Sequence, residues 1–223
     1  MSARLPVLAG VLGLLLVGVV QAAPPVLTSQ DIVVAFQARY AKIKDIRADF
    51  EQVTRLPGGR RLEASGQAWF RRPNMIRWDF QRPETESIIT DGRTMWIYEP
   101  VAKQVQVYGA ALLEPRLRMG FFSDLRRLEE DFVLNAGPAT ACCYVLELDP
   151  RPGRQIDLRH LTLYISREPM RVVEAKTIDL AGNQTTVKFS HIKENSGLKE
   201  GLFQFSPPPG VKVIRPQAPG PGL

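Results

Sequence analysis

Apolar and polar residues alternate along this chain in two rhythms. Over 28–43 the apolar positions Ile32, Phe36, Tyr40 and Ile43 recur at helical spacing, with Thr28 or Ser29 available as the cap. From Asp45 onward the pattern changes to short strand-like runs broken by Gly and Pro: IRADFEQVTRL, RLEASGQAWFRR, MIRWDF, ESIITDG, TMWIYE and KQVQVYG. Pro57-Gly58-Gly59, Pro73-Asn74, Asp91-Gly92 and Pro100 separate these runs, and the Asp-Gly pair predicts a tight hairpin. The segment 112–131, LLEPRLRMGFFSDLRRLEED, reads as one or two short helices, with Ser123 as a cap. Strand-like runs then resume in DFVLNAG, CCYVLELDP, DLRHLTLYIS, MRVVEAKTIDL, NQTTVKFSHIKE and a closing LFQFSPPPGVKVI. The pattern predicts one mainly β domain, an antiparallel sheet curled on itself with helices against one face.

The strands differ from face to face. Ile76, Trp78 and Phe80 share one side of MIRWDF, and Met75, Arg77 and Asp79 share the other. Trp96 and Tyr98 oppose Met95 and Ile97, while Trp69 opposes Ala64, Gly66, Ala68 and Phe70. An ordinary core under a helix accounts for such faces. A concave sheet whose apolar inner side leaves a lipid pocket accounts for them as well.

The ends and the charge narrow the setting. Arg4, an apolar run and Val20-Gln21-Ala22 follow the order of a secretory signal, which predicts cleavage after Ala22 and an exported chain. The tail over 216–223 is rich in Pro and Gly and reads as disordered, leaving 23–215 as a single domain. The formal charge of +6 is basic but mixed in sign, with no long run of like charge; the export signal speaks against a nucleic-acid partner, and the basic balance suits an anionic membrane surface or an acidic partner as well. The only cysteines, Cys142 and Cys143, are neighbours. An exported setting favours a disulfide, whereas neighbours in a strand point to opposite faces and strain one. One of them packing inside as a small apolar residue is the alternative.

Chemistry is sparse. There are two histidines, His160 and His191, and no GxSxG, HExxH or CxxC motif. Glu129-Glu130 lies on a charged helical face. The chain reads as a binding module with no catalytic or metal residues and no cofactor.

Four motifs in register, ADFEQ (48–52), GQAWFRRPNMIRWDFQRPE, TDGRTMWIYEP and QFSPPPGVKV, resemble the periplasmic outer-membrane lipoprotein carriers of the LolA family. The resemblance covers nearly the whole of the chain after the signal. It implies an open, incomplete antiparallel β-barrel of about eleven strands with a helical lid over an apolar cavity. Such a protein is a periplasmic chaperone and not an enzyme. It takes lipoproteins from an inner-membrane ABC transporter of the releasing type and hands them to a lipid-anchored outer-membrane acceptor of the same fold. It is expected to act as a monomer.

The resemblance further implies that Arg72 closes the lid by donating to helix carbonyls. It implies that Phe36, Tyr40, Phe50, Met75, Ile76, Trp78, Phe80, Trp96, Met119, Phe121 and Phe122 line the acyl-chain cavity. Arg71, Arg77 and Arg82 read as solvated or membrane-facing. A carrier or sensor of other acyl lipids on the same fold is the alternative function.

Overall fold

The computed structural model describes residues 28–109, 128–154 and 156–216, apart from the Ser29 side chain. The proposed signal, most of the helical insert with Met119, Phe121 and Phe122, and the end of the tail lie outside the described residues. Helix α1 (Ser29–Tyr40) begins at Thr28, which accepts from the Asp31 N–H at 3.2 Å while the Asp31 carboxylate accepts from the Thr28 N–H at 2.9 Å. This reciprocal cap satisfies two backbone donors that the helix itself leaves unpaired. Ile32, Phe36 and Tyr40 are buried, as the spacing predicts, Val33 is buried beside them, and Ile43 is buried just past the helix end.

Two antiparallel meanders meet at the middle of one sheet. The first runs β1 (Asp45–Arg55), β2 (Arg61–Arg71), β3 (Met75–Arg82), β4 (Glu86–Thr90), β5 (Thr94–Glu99) and β6 (Gln104–Gly109). A single turn, α2 (Leu128–Asp131), leads into the second: β7 (Phe132–Ala136), β8 (Cys143–Pro150), β9 (Leu158–Ser166), β10 (Val172–Asp179) and β11 (Gln184–Glu194). β11 returns to pair with β1, and the short β12 (Lys212–Ile214) adds to β6 in parallel. The order β12-β6-β5-β4-β3-β2-β1-β11-β10-β9-β8-β7 has two free ends, so the sheet is open. The turns fall where Pro, Gly and Asn were placed: Gly58, Gly59, Asn74 and Gly92 all have positive φ.

Register assigns each face. Phe50 pairs with Phe189 and Gly66, Ala68 with Trp78, Trp78 with Ile88, and Ile88 with Ile97. These residues form one side, and α1 packs on it: Phe36 and Tyr40 join Phe50, Phe70, Leu146, Leu148, Leu161, Leu163 and Ile165 in the main core. We call this the inner face. Tyr40 tethers the helix to the second meander, its hydroxyl accepting from the Val172 N–H at 3.2 Å. Arg39 donates to the Met170 carbonyl at 2.7 Å and pairs with Glu194.

The last predicted strand forms only in part. Glu200–Phe203 is a 3₁₀ turn, and the extended pairing is confined to Lys212–Ile214. Pro207, Pro208 and Pro209 offer no N–H to a ladder, so the intervening chain cannot pair continuously. It crosses the outer face instead, where Phe203 is fully buried and Phe205 packs on Tyr98 at 4.9 Å between ring centroids.

Two substitutions test this packing. A Cβ at Gly66 would lie 2.0 Å from the Asp79 carbonyl oxygen, so Gly66→Ala must push β2 and β3 apart. It should cost about 1–3 kcal/mol in a urea melt; an unchanged midpoint would contradict the close approach. Burial pushes the Tyr40 phenol up to about 12 from 10.0. The folded state therefore favours the neutral phenol. That contribution is complete below pH 10 and is lost as pH rises toward 12. Tyr40→Phe should cost about 1–3 kcal/mol at neutral pH by stranding the Val172 N–H. Its stability should then fall less steeply than the parent's over the same alkaline range. Parallel declines would contradict the assignment.

Candidate functional site

The inner face is richest in aromatic rings where β1, β2, β3 and β11 meet. Phe50 meets Trp78 edge-on at 4.7 Å between centroids and Phe80 at 5.1 Å. Trp78 also meets Phe70 at 5.7 Å and Phe189 at 6.0 Å. Edge-to-face contacts of this kind hold rings in place. Small residues opposite them, Gly66 and Ala68, leave the rings room above the sheet. Phe50, Phe70 and Ile76 are buried, but Trp78 and Phe80 are only half-buried, as are Ile88 and Ile97 toward β5. Trp78 and Phe80 are therefore apolar surface presented on the side that carries α1.

Polar groups bound this surface. Glu86, opposite Phe80, has its carboxyl held above the usual range by burial and then by the charge of Glu99. Glu99 accepts from Gln104 at 2.9 Å and from Gln106 at 3.4 Å, and Tyr108 donates to Gln106 at 2.5 Å. At another border Arg72, in the turn between β2 and β3, donates to the Tyr40 carbonyl at 2.7 Å. That carbonyl closes the last turn of α1, where intrahelical donors run out. A groove of about 470 Å³ adjoins it, lined by Ile43, Lys44, Asp45, Arg71, Arg72 and Leu198 among others. The buried Asp45 carboxylate accepts from the Ser196 N–H and hydroxyl and from the Gly197 and Leu198 N–H groups at 2.7–3.3 Å.

The structure gathers Phe36, Tyr40, Phe50, Ile76, Trp78 and Phe80 into one inner-face cluster. It separates Met75 and Trp96 from them. Met75 pairs with Arg71, which donates to its sulfur at 3.6 Å on the outer face. Trp96 pairs with Ile89, which pairs with Arg77, so it too lies outside. For Met75 the reason is the alternation of β3 itself, which sets it opposite Ile76, Trp78 and Phe80; for Trp96 it is hairpin register, which sets the phase of one strand relative to the next.

Two of the arginines read as solvated are half-buried and paired instead. Arg71 pairs with Glu200 at 2.9 Å, and Arg77 binds Asp79 and the Leu202 carbonyl at 3.1 Å. Together they pin the C-terminal segment to the outer face, a role the strand pattern gave no means to see. Arg82 is exposed, as expected.

His160 and His191 each face a carboxylate, Asp149 at 2.8 Å and Asp49 at 2.9 Å. Asp49 is held below the usual carboxylate range chiefly by the Gln67 side-chain amide and then by His191. Among the described residues no group of three or more His, Cys, Asp or Glu side chains is placed to hold a metal ion. No described helix is long and apolar enough to cross a membrane.

Comparison with known proteins agrees with this architecture. A protein of Chromobacterium violaceum named outer-membrane lipoprotein carrier protein is 31% identical over 173 residues, covering 77% of this chain and 81% of its own. A protein of the same name from Alkalilimnicola ehrlichii is 30% identical over 201 residues, covering 85% and 87%. Among solved structures, an uncharacterized conserved protein from Thermus thermophilus superposes with a TM-score of 0.55 at 14% identity, over 84% of this chain and 99% of its own, a likeness of fold. The family model described as outer membrane lipoprotein carrier protein LolA matches residues 41–206, so the chain belongs to the LolA family.

Proposed function

We propose that this protein carries lipoproteins bound for the outer membrane, with their acyl chains received on the inner face of the sheet. The supporting observation is the half-buried pair Trp78 and Phe80, set in an aromatic cluster beside a helix that is tied down at its end. Each acyl CH₂ left in water costs ~0.8 kcal/mol, so several chains cost tens of kcal/mol unless they are covered. A wide apolar sheet face can supply that cover, and a small surface patch cannot. The names of the relatives, outer-membrane lipoprotein carrier proteins, support the same reading.

In this proposal the core rings and Arg72 define a closed form. Phe36, Tyr40 and Phe50 then fill with their own rings the space that acyl chains would enter, and Arg72 holds α1 down across it. Loading must lift part of that cover, and release lets it close. The carrier therefore hands cargo on by differential affinity, without an energy source of its own. Cleavage of the signal, a periplasmic location, a monomeric state, an ABC-type donor and a lipid-anchored acceptor complete the proposal.

A transfer assay tests it. The protein, incubated with inner-membrane vesicles holding a triacylated lipoprotein, should form a soluble complex only when ATP is supplied. Absence of a complex, with phospholipid or fatty acid found bound instead, would keep the fold and refute the cargo. Arg72→Leu removes a charge-assisted bond worth about 1.5–3 kcal/mol to the closed form. The variant should load normally, yet pass cargo to acceptor vesicles about tenfold or more slowly. Transfer at the parent rate would remove Arg72 from the mechanism.

A further inference from the structure

The loop between β7 and β8 carries a feature that lipid carriage does not use. Cys142 and Cys143 are joined to each other by a disulfide. The alternation of a strand counted against this bridge, but Cys142 precedes β8 and only Cys143 belongs to it, so the opposed directions of strand neighbours do not apply. An ordinary disulfide stabilises a fold by closing a loop of chain and removing conformational freedom from the unfolded state. A bridge between chain neighbours closes no such loop. Its stabilising effect on the fold is therefore small, and its position asks for a chemical explanation.

That position is asymmetric. Cys142 is exposed, while Cys143 is 4% exposed at the start of β8. The loop around them is held mainly by bonds that do not involve sulfur. The Cys143 N–H donates to the Thr140 hydroxyl at 3.1 Å, and the Thr140 N–H donates to the Cys143 carbonyl at 3.0 Å. From the β9–β10 turn, the Arg167 N–H donates to the Cys142 carbonyl at 3.3 Å and its guanidinium to the Thr140 carbonyl at 3.0 Å. The same guanidinium lies over the Tyr144 ring, 4.7 Å from its centroid. Opening the bridge leaves this framework standing, with both sulfurs close enough to rejoin.

We propose that Cys142–Cys143 is a reversible thiol–disulfide exchange site whose reaction partner is a dithiol, with Cys142 the sulfur that is attacked. A thiolate of the dithiol bonds to Cys142 Sγ, and the Cys142–Cys143 bond breaks. The Cys143 sulfur leaves with the bonding pair and takes a proton from water. The second thiolate of the dithiol then attacks its own bridged sulfur, closes a disulfide ring and releases Cys142, which is protonated in turn. The protein gains two electrons and two protons, and the dithiol is oxidised by the same amount. Oxidation runs the sequence backward, assisted by the adjacency of the two thiols.

Alkylation followed by intact mass measurement tests this on the full exported chain. After equilibration with oxidised dithiothreitol it should take up no iodoacetamide, and after reduced dithiothreitol it should take up two labels without denaturant. Circular dichroism should not change between the two states. In single variants, the Cys142 thiol of Cys143→Ser should react at least tenfold faster than the Cys143 thiol of Cys142→Ser. Two labels in the oxidised sample, labelling that requires denaturant, a disulfide between two chains, or equal rates in the variants would each overturn the proposal.

Discussion

Among the described residues, a sheet of twelve strands has more apolar face than the one short helix α1 can cover. At about 4.8 Å between strands the sheet is about 50 Å wide. The twelve-residue α1 is about 18 Å long and roughly 10 Å across. α1 alone would leave most of the inner face of a flat sheet uncovered. Strands from both meanders instead reach α1, so that Phe36 and Tyr40 share one core with β1–β3 and with β8–β10. The pairing of β1 with β11 makes that wrapping possible, because it joins the two meanders edge to edge. Trp78 and Phe80 stay half-buried at the border of that core, and Ile88 and Ile97 stay half-buried toward β5.

Two kinds of polar fastening preserve this arrangement. On the inner side Arg72, Arg39 and the Tyr40 hydroxyl tie α1 to the strands, each at a backbone group. On the outer side Arg71 and Arg77 fasten the C-terminal segment, whose Phe203 closes over the first meander. The outer fastenings brace the strands that bear the aromatic cluster from behind. Among the described residues the inner ones sit at one end of α1, so their release does not require the sheet to come apart. A protein that must open for a greasy cargo and close again after losing it has use for that division.

Much of this was legible in the residues. The capped helix, the strand runs, the Asp-Gly hairpin and a mainly antiparallel sheet follow from spacing and turn chemistry, whereas the open architecture and the attention to Arg72 followed from the family resemblance. Three things were not legible. The face of Trp96 relative to the aromatic cluster on β3 depends on cross-strand phase, which alternation within a strand does not carry. The work of Arg71 and Arg77 depends on a segment more than a hundred residues away in sequence that returns to the outer face. The Cys142–Cys143 bridge depends on where β8 begins, and strand boundaries are the weakest product of pattern reading.

The central claim is that acyl chains lie on the inner face beside Trp78. The chain has three tryptophans, Trp69, Trp78 and Trp96, and register places the first and last outside. Variants that retain one tryptophan each, with phenylalanine at the other two positions, can be loaded with a lipoprotein bearing brominated acyl chains. Bromine quenches indole emission at contact range. The account predicts strong quenching in the Trp78 variant and emission near the unloaded level in the Trp69 and Trp96 variants. Quenching of Trp69 or Trp96 with Trp78 unaffected would place the cargo on the other face and contradict it.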